Sequence, residues 1–279
     1  MLARKPGRFS WWVQDQPSPE RRKTMKKASR IVAIVGFLWV ISSAVFAFSQ
    51  EHYGFERRFP LQPYVFTPIR GVAADPAGDM YVLDSRIQKF DPDGHLIWKL
   101  ESPSTAIALT VDAEGNLYLV AYGVSPSEAR YPISPSIQKF DPSGKRVWYA
   151  EGLLTWYAIG GGWPNGVTTN VTGDIYVANR GMHLVEKLDS AGKFIAQWGG
   201  EGTGDGQFVH PTGIAADRSG NVYVADSGNH RIQKFDPYGR FIAKWGERGS
   251  GEGQFEGPGG VAIDPSENVI VVDSGNHRI

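Results

Sequence analysis

The chain has 279 residues, 41% hydrophobic and 12% aromatic, with no cysteine and with 29 basic and 29 acidic residues. That composition excludes a generally disordered chain and a disulfide-stapled scaffold, and it is ample for a buried core. The charge is uneven: residues 1–50 carry nine Lys/Arg against Asp15 and Glu20, leaving 20 basic and 27 acidic residues from position 51 onward.

In chain order the first element is the run 31–48, IVAIVGFLWVISSAVFAF, eighteen residues without a charge. It predicts one hydrophobic, membrane-directed helix. Lys23, Lys26, Lys27 and Arg30 precede it, so the positive-inside bias keeps the basic tail 1–30 in the cytoplasm and sends everything after Phe48 across. With Met25 as the true start, the run is a signal peptide core, cleaved after Val45-Phe46-Ala47 or Ala47-Phe48-Ser49. As a retained segment it is a transmembrane anchor. Both readings place the remainder outside the cytoplasm, in a periplasm or extracellular space, and residues 49–66 follow as a linker.

Internal repetition organises the rest. A first turn recurs in ADPAGDMYVLD (74–84), VDAEGNLYLVA (111–121), TNVTGDIYVAN (169–179), ADRSGNVYVAD (216–226) and IDPSENVIVVD (263–273). Gly78, Gly115, Gly173 and Gly220, with Glu267 in the fifth unit, lie 37, 58, 47 and 47 residues apart. A second turn is FDPDG (90–94), FDPSG (140–144), LDSAG (188–192) and FDPYG (235–239). Asp followed by Pro, with Gly fourth, suits a type I turn: Pro presets φ, the Asp side chain bonds the backbone two residues on, and Gly accepts φ > 0. Runs between the turns, such as NVYVAD and RIQKF, are strand-like and apolar on both parities, which fits sheets covered on both faces. The opening strand of each unit is made of small residues, as at a crowded axis. The last carries Trp98, Trp148, Trp198 or Trp245, as at a widening rim. Four strands per repeat predict an all-β fold: a β-propeller of four-stranded blades over 67–279, with four whole units and half of a fifth.

The unit GIAADRSGNVYVADSGNHRIQKFDPYGRFI (213–242) resembles the NHL repeat, as does the fifth unit, where DSGNHRI returns at 273–279. Asn229-His230 and Asn276-His277 stand at the positions that give the repeat its name. The first three units depart from it: DSRIQKF is short, NRGMHLVEKL lacks the Asn, and the second unit has no NHRI loop. The resemblance implies an exported propeller with a six-bladed parent, so the chain reads as a fragment truncated at its C-terminus. It also makes residues 52–59, HYGFERRF, a candidate ring-closing strand. DSGNHRI is expected to join the second strand to the third, with a structural histidine. Among enzymatic relatives, the zinc histidines of amidating lyases find no counterpart here, and no acidic or histidine cluster imitates a lactonase or a streptogramin lyase.

Function must come from a site rather than from the fold. His210, before Pro211 at the mouth of an inner strand, is a weak metal candidate. Its counterpart in the next unit is Gly257, and a catalytic zinc needs about three converging ligands, so no metal and no cofactor are expected. The glycine runs 199–208 and 246–255 lack the Lys-Ser/Thr of a P-loop and read as connectors between blades. Lys89, Lys139, Lys187 and Lys234 are each followed by an acid, Asp91, Asp141, Asp189 and Asp236, which balances their charge and argues against nucleic acid. The positive signal is an insertion. From second-strand to third-strand hydrophobe there are 5 positions in the first unit, 8 in the third and fourth, and 18 in the second. The extra segment brings Tyr122, Glu128, Arg130 and Tyr131, and the connector after it brings Trp156, Tyr157 and Trp163. These are candidate binding residues for a protein or small ligand. The sequence thus reads as an exported or membrane-tethered, non-catalytic binding scaffold. The alternative is a propeller lyase or hydrolase, peptidyl-amidoglycolate-lyase-like or lactonase-like, with part of its site in absent blades.

Overall fold

The computed structural model describes residues 66–102, 106–123, 134–151 and 164–279. The segment 31–48 and the ring-closing candidate 52–59 lie outside them. Among the described residues no helix is long and apolar enough to cross a membrane.

The strands form antiparallel meanders, each in chain order. The first blade is β1 (Gly71–Ala74), β2 (Met80–Leu83), β3 (Arg86–Phe90) and β4 (Leu96–Glu101). The second is β5 (Ala106–Val111), β6 (Leu117–Gly123), β7 (Ser134–Phe140) and β8 (Arg146–Glu151). The third is β9 (Pro164–Thr169), β10 (Ile175–Asn179), β11 (Leu184–Leu188) and β12 (Phe194–Gly199). The fourth is β13 (Pro211–Ala216), β14 (Val222–Asp226), β15 (Arg231–Phe235) and β16 (Phe241–Trp245), and β17 (Pro258–Ile263) pairs with β18 (Val269–Asp273) as a fifth, two-stranded sheet. The expected all-β architecture of four-stranded blades, with half of a fifth, is therefore present.

Both recurrent turns are built by the same side chain. In the fourth blade the Asp217 N–H donates to Asn221 O at 2.9 Å, Gly220 N–H donates to Asp217 O at 3.0 Å, and the carboxylate accepts the Asn221 N–H at 2.8 Å. At the second turn Asp236 accepts the N–H groups of Tyr238 and Arg240, both at 2.9 Å. The carboxylate thus makes the predicted bond two residues on and adds one four residues on, closing the hairpin as well as the turn. The fourth position has φ near 80° in Gly220 and Gly239 (82° and 83°), and in the fifth unit Glu267 holds φ 67° without glycine's freedom.

Packing follows the radial order of the strands. Inner strands β1, β5, β9, β13 and β17 pack side by side in chain order. A Cβ on Gly213 would lie 2.6 Å from Gly260 Cα, so only glycine admits this approach. The middle strands β10, β11 and β14 are buried at every position, whereas the outer strand β4 alternates. The core is therefore a series of layers between blades. One joins Tyr118, Val120 and Ile137 to Val167, Ile175 and Val177; the next joins Tyr176 and Val185 to Ile214, Val224 and Phe235. Outer tryptophans tie the rim. Trp98 Nε1–H donates to Pro142 O at 3.0 Å and Trp148 Nε1–H to Ser190 O at 3.2 Å, each reaching the next blade's second turn. Trp198 departs from this scheme, in a register that Trp245 shares. It pairs with Val185 rather than with the lysine position, its buried N–H has no protein partner, and the equivalent carbonyl, Pro237 O, receives Lys187 Nζ at 3.2 Å instead.

The left-handed conformation costs an ordinary residue roughly 1–2 kcal/mol, so Glu267→Gly is expected to stabilise the protein by about 1 kcal/mol. Denaturant unfolding checks this; an unchanged or lower midpoint would show that the Glu267 backbone carries no strain.

Candidate binding face and its structural clamps

The first and second turns occupy one end of each four-stranded blade, with Asn170 in place of the aspartate at the first turn of the third. The loops between second and third strands and the connectors from blade to blade occupy the other. The chemistry-bearing residues divide between these two ends.

At the Asp-turn end, each of the first four blades repeats a buried cluster. Tyr81, Tyr118 and Tyr223 hydroxyls donate to Asp75, Asp112 and Asp217 at 3.2, 3.0 and 3.1 Å; in the third blade Asn170 Nδ2 donates to Tyr176 at 3.3 Å. A lysine from the third strand lies over each ring, Lys89, Lys139, Lys187 and Lys234 standing 4.9 to 5.3 Å from the centroids. Tyr81, Tyr118, Tyr176 and Tyr223 also meet Trp98, Trp148, Trp198 and Trp245 edge to face, with centroids about 6 Å apart. The lysines pair with Asp79 at 3.0 Å, Asp112 at 3.8 Å, Asp174 at 2.8 Å and Asp217 at 3.6 Å. Asp91, Asp141, Asp189 and Asp236 follow the lysines in sequence, but their carboxylates are taken by turn amides, and the lysine ammonium sits at the first turn. Burial, then the Asp112 charge, pushes the Tyr118 hydroxyl well above the ordinary phenol range. Burial works against the charge of Lys89 and Lys187, but Tyr81 with Asp79, and Asp174 with Tyr176, outweigh it and raise both ammonium groups.

At the opposite end, DSGNHRI is a clamp. The fully buried Asp226 accepts Val209 N–H at 2.7 Å, Asn229 Nδ2 at 2.9 Å, Arg231 Nε at 2.7 Å and Gln233 Nε2 at 3.0 Å. Arg231 carries on to the carbonyls of Thr203, Gly204 and Gln207 at 2.8, 2.8 and 2.9 Å, and Asn229 to that of Gly202 at 2.9 Å. Asp273, Asn276 and Arg278 repeat the pattern on Gly249, Ser250 and Gly251. The glycine run is thereby fixed as a connector. Its amides at Gly200, Gly202, Gly204 and Gly206 bond to His183 O, Phe208 O and the side chains of Gln207 and Gln233, leaving no phosphate cradle among them.

The clamp was missed in the sequence because its partners lie 24 to 28 residues apart. A signal existed: the run GxGxGQF precedes DSGNHR at the same spacing in the fourth and fifth units and occurs nowhere else in the chain. Asp84 makes a shorter version, accepting Thr67 N–H at 3.2 Å. In the second blade the equivalent residue is Ala121, and the β6–β7 ladder continues through Tyr122↔Pro135 and Gly123↔Ser134. Of the candidate binding residues, Tyr122 is thus placed by its backbone on this prolonged hairpin. Glu128, Arg130, Tyr131, Trp156, Tyr157 and Trp163 lie outside the described residues. His210 stacks on His183 with centroids 4.8 Å apart. Among the described residues, no three His, Cys, Asp or Glu side chains converge as a metal site would require.

Repeated four-stranded meanders, consecutive inner strands and inter-blade cores define a repeat-built β-propeller. The NHL repeat family model matches residues 208–235 and 255–279, so the fourth and fifth units of this β-propeller are of the NHL type. Those matches are the two units that carry the full clamp. A search of curated proteins returned no match. Solved structures with the same fold include a protein of unknown function from Bacteroides caccae (15% identity, TM-score 0.54, 74% of this chain and 70% of that one). Virginiamycin B lyase from Staphylococcus aureus is similar at 15% identity and TM-score 0.51, covering 74% of this chain and 63% of the lyase. A gluconolactonase from Xanthomonas campestris is similar at 14% identity and TM-score 0.51, covering 74% and 69%.

The raised Tyr118 fixes a sign for alkaline pH. Above about pH 10 the unfolded chain loses the phenol proton while the folded chain keeps it, so stability falls as pH rises past that value. Tyr118→Phe is expected to be about 1 kcal/mol less stable at neutral pH but to lose less between about pH 9 and 11. Thermal melts across that range check it; parallel loss in both proteins would contradict the assignment.

Proposed function

We propose that this protein is an exported or membrane-tethered, non-catalytic binding scaffold that presents its second-blade insertion, and the connector after it, to a protein or small ligand. The observation that carries this reading is the exceptional end of the second blade. The carboxylate that closes the loop in the first, fourth and fifth units, Asp84, Asp226 or Asp273, is replaced there by Ala121, and at that point the ladder lengthens. A repeat that gives up its loop clamp and gains chain at the same place supports a role beyond ring building, because insertions on one face of a repeat array often form the binding side. The inserted Glu128, Arg130 and Tyr131, with Tyr122 at its root and Trp156, Tyr157 and Trp163 in the following connector, include the types that dominate interfaces. Buried carboxylates and lysines of the ring, by contrast, are occupied in clamps, which also favours binding over catalysis. The basic tail 1–30 and the apolar run 31–48 support export, with membrane attachment wherever the run is retained.

The test compares the full chain with an Arg130→Ala/Tyr131→Ala variant, both displayed on cells and exposed to the surrounding medium and solubilised membranes. The scaffold reading expects a ligand retained by the parent chain and weakened by about 10-fold or more in the variant, with the propeller open to protease added outside intact cells. Equal retention by both proteins, a propeller shielded from external protease, or turnover of a lactone or streptogramin by the purified chain would contradict it.

A further inference from the structure

His183 and His230 end the loops between second and third strands of adjacent blades, and both are left-handed, with φ 57° and 55°. Each ring accepts a backbone N–H from the connector entering the next blade. His210 N–H donates to His183 Nδ1 at 3.2 Å, and Gly257 N–H donates to His230 Nδ1 at 3.1 Å. The two donor residues are equivalent as well, with φ 53° and 61°. In both places the accepting nitrogen must be unprotonated, so the ring is neutral and carries its proton on Nε2.

The surroundings of the two latches differ. The Glu256 carboxylate lies 4.0 Å from His230 Nδ1 and is itself 3.2 Å from Arg248. At His183 the neighbouring group is the His210 ring, tilted by 38° at 4.8 Å, and among the described residues His183 makes no ion pair. The other charged groups on the elements meeting it are Arg180 on its own loop and Glu201 and Asp205 on the connector; Asp205 is bound by Lys244, and the adjoining Asp226 by the clamp.

We infer that His183 is an acid-sensitive latch between the third and fourth blades, holding the connector 200–210 while neutral and releasing it when protonated. A proton on Nδ1 turns the acceptor into a donor aimed at another N–H, and it sets a cation against a second imidazole. At His230 the Glu256 carboxylate, 4.0 Å from Nδ1, gives a protonated ring an ion pair that keeps the connector against the loop and the Gly257 amide shielded. Acid therefore loosens the third junction in preference to the fourth. The loosened connector lies on the face that carries the insertion.

Amide hydrogen exchange on the full chain, normalised for the intrinsic rate, tests this between about pH 7.5 and about pH 5, where imidazoles change charge. Protection of the His210 amide is expected to fall by about 10-fold or more, and that of the Gly257 amide by much less. His183→Asn keeps an oxygen acceptor, tolerates the left-handed conformation and does not titrate, so its His210 protection should not change with pH. Constant His210 protection in the parent chain, equal loss at His210 and Gly257, or the same loss in the variant would each overturn the inference; the first two readings need only the parent protein.

Discussion

A carboxylate with no access to water stands at the end of β14, and the arrangement around Asp226 dictates how one blade hands over to the next. Removing such a charge from water costs several kcal/mol unless its lone pairs are filled. Here a backbone amide and three side chains fill them, and one of those, Arg231, is itself a buried cation whose remaining donors need carbonyls. A glycine-rich connector supplies those carbonyls because a chain with little side-chain bulk can turn them inward. The acid, the arginine and the glycines are thus one device, and Asp273 with Arg278 repeats it.

The other end of each blade is governed by the same rule. The Asp turns expose few free lone pairs, the tyrosine hydroxyl takes one, and the lysine ammonium settles over the ring where the carboxylate and the π-face both attract it. The four lysine–tyrosine contacts agree within a few tenths of an ångström across blades whose sequences differ, which marks the cluster as part of the repeat's frame. Trp198 and Trp245 both stand two positions along the strand from the lysine's partner, and at Trp198 the N–H loses the carbonyl that Lys187 then takes.

Local chemistry made much of this legible in the sequence. Asp-Pro-x-Gly fixed the turns, parity-free apolar runs announced strands covered on both faces, and GIAAD or GVAID announced the crowded axis. Interactions between distant residues were not legible. Asp91 adjoins Lys89 in the chain, yet its oxygens serve the amides of Asp93 and His95, and the ammonium pairs across the hairpin with Asp79. The clamp spans more than twenty residues and was read only as a turn. Of the candidate site, the strand bearing Tyr122 and the position of His210 are in view, and the backbone N–H of the latter donates to His183. Among the described residues, the second blade alone combines the loss of the loop carboxylate, at Ala121, with a lengthened ladder.

The central claim is that DSGNHRI frames the ring and is not a ligand site. A double-mutant cycle on unfolding free energy with Asp226→Asn, Arg231→Met and both together tests it most directly. The account predicts that each single change costs about 3 kcal/mol, because each strands a buried partner, and that the double variant costs little more than either. Small losses in each single variant that add strictly in the double would contradict it.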